Sequence, residues 1–92
     1  MRLEWDKATL RAFDERTQRL EVPFPKDVGD DARSSFASAL VGLEQVGGPI
    51  EVAKLSHSHI WMEITRDADV EAIERRVQAL ANDILAPADE TS

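Results

Sequence analysis

The chain contains no cysteine among its 92 residues. That absence excludes a disulfide scaffold, thiolate zinc sites, iron–sulfur clusters and a cysteine nucleophile. The fold must hold by packing alone, as suits a reducing cytoplasm. Bases are also scarce: 11 Lys and Arg stand against 18 Asp and Glu, for a net charge of −7. Nucleic acid is bound by Lys and Arg that neutralise phosphates. Here the densest basic group, Arg11, Arg16 and Arg19, is interleaved with Asp14 and Glu15. The expectation is therefore no nucleic-acid partner and no anionic membrane surface; a basic partner, or simply solubility, fits the charge better. An acidic mimic of nucleic acid would need its acids on one face, whereas both signs are interspersed along every element.

Long apolar runs are missing too. No stretch approaches the roughly 18 to 20 apolar residues of a membrane span. The opening Met1-Arg2-Leu3-Glu4-Trp5-Asp6 carries acids where a signal peptide needs an apolar run. The expected location is the cytoplasm.

What is present suits a small globular domain: 42% of residues are hydrophobic and 32% charged. A chain of this length buries about 60% of the surface its unfolded form exposes, so its core is modest. One domain is expected over residues 1–86, with 87–92 a disordered tail after Pro87.

Periodicity supplies the elements. Leu20, Val22 and Phe24 alternate with Arg19, Glu21 and Pro23, which predicts a strand over 19–24, at a sheet edge or ending at its proline. Val28, Ala32, Phe36, Ala39, Leu40, Leu43 and Val46 recur at spacings of three and four, predicting a helix over 28–46. Asp27 or Asp30 is its expected cap, and Gly47-Gly48-Pro49 its stop. Residues 50–55 and 60–65 read as two strands joined through Ser56-His57-Ser58-His59. A final helix over 68–85, capped by Asp67, carries the seam Val70, Ile73, Val77, Leu80 and Ile84.

Residues 6–18 admit two readings. Trp5 before Asp6, with Leu10 further on, resembles a hydrophobic staple opening a helix, and Leu10, Phe13, Thr17 and Leu20 keep helical spacing. Alternatively 8–13 is a strand turning at Asp14-Glu15-Arg16 into the next one, giving strand, strand, helix, strand, strand, helix. The helix is the preferred reading. Either way the fold class is α+β, a two-layer sandwich of antiparallel sheet with helices mainly on one face.

Chemistry-bearing motifs are few. His57-Ser58-His59 could place two rings on one face of an extended strand, with Glu63 beyond them. A catalytic zinc needs three protein ligands, and no spacing marks a third. Ser34, Ser35 and Ser38 lie in no Gly-x-Ser-x-Gly elbow, and Gly47-Gly48 ends a helix rather than opening a phosphate loop. No cofactor, metal or catalytic residue is expected.

Two features point to binding. Trp61 should project from the sheet face opposite Ile60, Met62 and Ile64. If that face is open, Trp61, His59, His57 and Glu63 form an amphipathic partner-binding surface; if Trp5 or Phe13 covers it, Trp61 is core. The second feature is the strip Ser34, Ser38 and Gly42, which would let another helix approach closely. The leading expectation is a protein-binding module that pairs with another protein or with itself as a homodimer. The alternative is a small enzyme or ligand- and metal-binding protein using His57, His59 and Glu63.

Overall fold

The computed structural model describes residues 2–85, and the tail expected at 87–92 lies outside them. Strands β1 (Thr9–Ala12) and β2 (Thr17–Pro23) form a hairpin, followed by helix α1 (Asp30–Val41). A second hairpin of β3 (Ile50–Leu55) and β4 (His59–Thr65) is followed by α2 (Val70–Ile84). The sheet order is β1-β2-β4-β3, antiparallel throughout. The second strand of each hairpin is thus central, and the two central strands pair with each other.

Residues 8–13 are therefore a strand reading fulfilled, and the helix preferred from sequence is overturned. Trp5–Lys7 makes only one 3-10 turn, its leading residue Glu4 contributes no side-chain cap bond, and Ala8 is already extended. What decides the matter is the Asp14 turn. Asp14 Oδ1 accepts from the Arg16 amide at 2.8 Å, the Thr17 amide at 2.8 Å and the Thr17 hydroxyl at 2.9 Å. Arg66, at the far end of β4, donates twice to the Asp14 carbonyl, at 3.0 and 2.6 Å. A helix through this segment would forfeit all of these bonds.

The Arg16 amide first, and then the Thr17 hydroxyl and amide, hold the Asp14 carboxyl below its ordinary range. Each favours the charged form in the folded chain. This stabilisation is present above the unfolded pKa and is lost as pH falls through the lower folded value. Asp14→Asn should therefore be less stable than wild type at neutral pH, with the gap closing below about pH 4. Urea midpoints across a pH series measure this; a gap independent of pH would mean the charge is not what the turn uses.

The core lies between one sheet face and both helices. Leu20 and Val22 from β2, Ile60, Met62 and Ile64 from β4, and Ile50 and Ala53 from β3 are buried against Phe36 and Leu40 of α1 and Ile73, Val77 and Ala81 of α2. Phe24, just past β2, stacks its ring 5.3 Å from that of Phe36. Pro23 ends β2 as its missing N–H suggests, although the strand is central rather than at an edge.

Both helices are shorter than their apolar spacing predicts. α1 stops at Val41 because the following residues serve the β3 edge: the Gln45 amide donates to the Ile50 carbonyl at 2.9 Å, and the Glu44 carboxylate accepts from the Ala53 amide at 2.9 Å. Val46, the last position of the expected stripe, is consequently fully exposed. Gly47 takes the positive φ of 74° that the turn back into β3 requires. The helix begins after Gly29 rather than at a capping aspartate, with Asp30 and Asp31 in its first turn beside the positive end of the dipole.

In α2 the cap is Asp69, not Asp67, and its carboxylate accepts from the Ala72 amide at 3.2 Å. Asp69→Ala should cost about 1 kcal/mol, the usual worth of an N-cap; the urea midpoint checks it, and a change near zero would show the bond is not formed in solution. The buried line of α2 is Ile73, Val77 and Ala81, with Val70, Leu80 and Ile84 flanking it. No helix among the described residues is long and apolar enough to cross a membrane.

Candidate protein-binding face

Alternation along the central strands sends every second side chain away from the helices. On β4 these are His59, Trp61, Glu63 and Thr65, opposite Pro23, Glu21, Arg19 and Thr17 of β2 respectively. On β3, Lys54 lies opposite Trp61 and Val52 opposite Glu63. On β1, Thr9 lies opposite Glu21 and Arg11 opposite Arg19. Directly opposed residues share a face, so these side chains form one surface. Both helices and the buried core lie on the other face of the sheet, and from the loop after β1 Phe13 reaches over this one.

The centre of this surface is an arginine between two rings. The Arg19 guanidinium carbon lies 4.5 Å from the Trp61 ring centre and 4.7 Å from that of Phe13. Lys54 Nζ stands 5.8 Å from the same indole. The guanidinium is planar and weakly hydrated, so it stacks on aromatic faces at little desolvation cost. Arg19 Nε is buried with no hydrogen-bond partner. Nor does Arg19 pair with Glu63 across the strands; among the described residues the ion pairs are Glu4–Lys7 and Arg16–Glu51. Glu71 and Arg75, four positions apart on α2, form none.

Trp61 is therefore neither bare nor core. It is half-buried, with the Arg19 guanidinium against its ring. Neither aromatic expected to cover it does so directly. Trp5 is on the helical side, its indole N–H donating to Gln78 Oε1 of α2 at 2.9 Å, and Phe13 reaches Trp61 only through Arg19.

The remaining expected site residues are placed as follows. Glu63 lies on the open face, one pleat from Trp61. His59 opens β4 on the same face, with Ser58 Oγ 2.8 Å from its Nδ1. His57 is exposed in the turn before β4, where Arg33 of α1 donates to the carbonyls of Ser56, at 2.9 Å, and of His57 itself. Because the turn interrupts the strand, His57 does not share the alternation that would have aligned it with His59. His59 and Glu63 are separated along β4 by about 13 Å, far more than one ion bridges. Among the described residues no group of three or more His, Asp or Glu side chains is placed to hold a metal.

Arg19 and Lys54 were not among the site residues singled out from sequence, and Phe13 was considered only as core cover for Trp61. Arg19 was on the outward phase of its strand, a usable signal. Its position beside Trp61 followed only from the β2–β4 register, and Phe13 joined the face only once β1 was a strand. The strip Ser34, Ser38 and Gly42 is exposed on α1 and receives no helix from within the described residues. Comparison with protein-family models, with curated proteins and with solved structures gave no match.

Proposed function

We propose that this protein is a small binding module that pairs with protein, a second copy of itself first, through the open sheet face around Trp61. The observation that carries the reading is the Phe13–Arg19–Trp61 stack on an uncovered sheet face. Aromatic and arginine side chains supply most binding energy at protein interfaces, where their flat surfaces lose water together. Trp61, Glu63 and His59 are contact residues, with His57 at the rim; Arg19, Phe13 and Lys54 join them.

Charge supports a second copy as the partner. The face interleaves Arg11, Arg19 and Lys54 with Glu21 and Glu63, against a chain whose net charge is −7. Under a two-fold axis a surface meets itself, so bases and acids in alternation can face each other's opposites. A cytoplasmic setting fits the absence of cysteine and is part of the proposal.

The test is iodide quenching of Trp61 in a Trp5→Phe chain, read together with mass by light scattering over a concentration series. Free quenching in the dilute monomer that falls as mass rises supports the reading. A monomer in which Trp61 is already shielded overturns it.

A further inference from the structure

The two edges of the sheet are treated differently. On β3 the chain closes its own edge: the outward Ala53 amide is held by Glu44 and the Ile50 carbonyl by Gln45. On β1 no such closure exists among the described residues. The Phe13 amide donates to Thr17, which fixes the phase of the β1–β2 ladder. Hydrogen-bonded pairs alternate with non-bonded ones, so Thr9, Arg11 and Phe13 turn their main-chain groups toward β2. Leu10 and Ala12 therefore turn theirs outward. Leu10 on β1, 46% exposed, and Phe13 just past its end, 49% exposed, are two of the exposed large apolar side chains. An unpaired edge with exposed apolar side chains is a template for another strand.

We infer that a second copy of this chain pairs antiparallel along β1, joining two four-stranded sheets into one. This contact does not rest on the Trp61 face, although β1 borders that face. The occupant follows from the register. Antiparallel pairing centred on Leu10 sets it opposite its own copy, with both outward amides and carbonyls exchanged. Ala8, already extended, then offers its carbonyl to the Ala12 amide of the copy, its own amide being held by the Trp5 carbonyl. Thr9 falls opposite Arg11, so no two like charges are opposed within the strand. Centring on Arg11 would oppose two arginines, and centring on Ala12 would run into the Asp14 turn. The Leu10 register exchanges the outward Leu10 main-chain bonds at the two-fold axis, sets the exposed Leu10 against its copy and keeps charges apart. A contact of one short strand is small, so the association is concentration-dependent rather than permanent.

The test is sedimentation equilibrium on the full chain in a Trp61→Ala background, which weakens the face contact. That chain should still dimerise as concentration rises. Adding Leu10→Lys or Leu10→Glu opposes like charges at the two-fold axis and should weaken self-association about tenfold or more. Mixing the two charge variants should restore the dimer, which an unfolded or merely destabilised variant would not do. A Trp61→Ala chain monomeric at every concentration, or a dimer indifferent to Leu10→Lys, overturns the edge contact. Failure of the face reading shows separately, as equal masses for wild type and Trp61→Ala.

Discussion

Phe36→Ala should cost about 3–5 kcal/mol, the largest loss expected from any single truncation in this chain. Phe36 is the bulkiest of the fully buried side chains, with no exposed surface. It sits where α1 meets the sheet, against the Phe24 ring at 5.3 Å. Removing it withdraws the transfer energy of an aromatic side chain and leaves a cavity that two helices and a hydrogen-bonded sheet cannot collapse into fully. A domain has only about 5–15 kcal/mol in total, and one of this size falls toward the lower end. The variant should therefore show a sharply lowered urea midpoint and a substantial unfolded population near body temperature. Phe13→Ala is the control: the same ring lost from a position 49% exposed should cost far less. Equal losses at the two positions would mean that Phe36 is not the centre of the core.

The parts of the fold legible in sequence were those where local pattern and tertiary need agree. The strands at 50–55 and 60–65 alternate because their inner residues, Ile60, Met62 and Ile64, are buried under the helices. Gly47 took the left-handed turn expected of it, yet α1 had already ended at Val41. The apolar stripe could not show that Glu44 and Gln45 would be spent closing the β3 edge, since that requires knowing β3 is an edge. The same limit misplaced residues 8–13. Leu10 and Phe13 have helical spacing, but spacing of three also puts two residues on opposite faces of a strand. The choice was made by Asp14 and Arg66, 52 positions apart in sequence.

The candidate site was legible in part for a similar reason. Phase along β4 sufficed to send Trp61 and Glu63 away from the core, because it needs only the strand itself. What stands over Trp61 depends on which strand lies beside it and in what register. Arg19 reaches the indole through the Glu21–Trp61 and Arg19–Glu63 pairings, a fact of the sheet rather than of either strand. His57 illustrates the opposite error: two residues from His59 suggests a shared face only if the strand continues, and Arg33 holds the backbone there in a turn.

Trp61→Ala should weaken self-association through the sheet face by about 2 kcal/mol or more, roughly thirtyfold in Kd. The loss exceeds what the indole contributes within the monomer, where it is half-buried and covered by Arg19 and Lys54 at cation–π distances worth about 0.5–1 kcal/mol each. Its stability cost should therefore fall well below that of Phe36→Ala. Arg19 gives the sharper discrimination. Arg19→Lys keeps the charge and loses the plane that stacks between Phe13 and Trp61. If stacking makes the surface, Arg19→Lys should approach Arg19→Ala in its effect on association; if charge alone steers the two copies together, it should resemble wild type. Since the wild-type chain carries both the face and the β1 edge, its mass should rise beyond a dimer at high concentration. Trp61→Ala and Leu10→Lys should each halt it at two copies, by different contacts. A wild-type chain that stops at two would leave room for only one of these surfaces, and the variant that returns it to a monomer would say which.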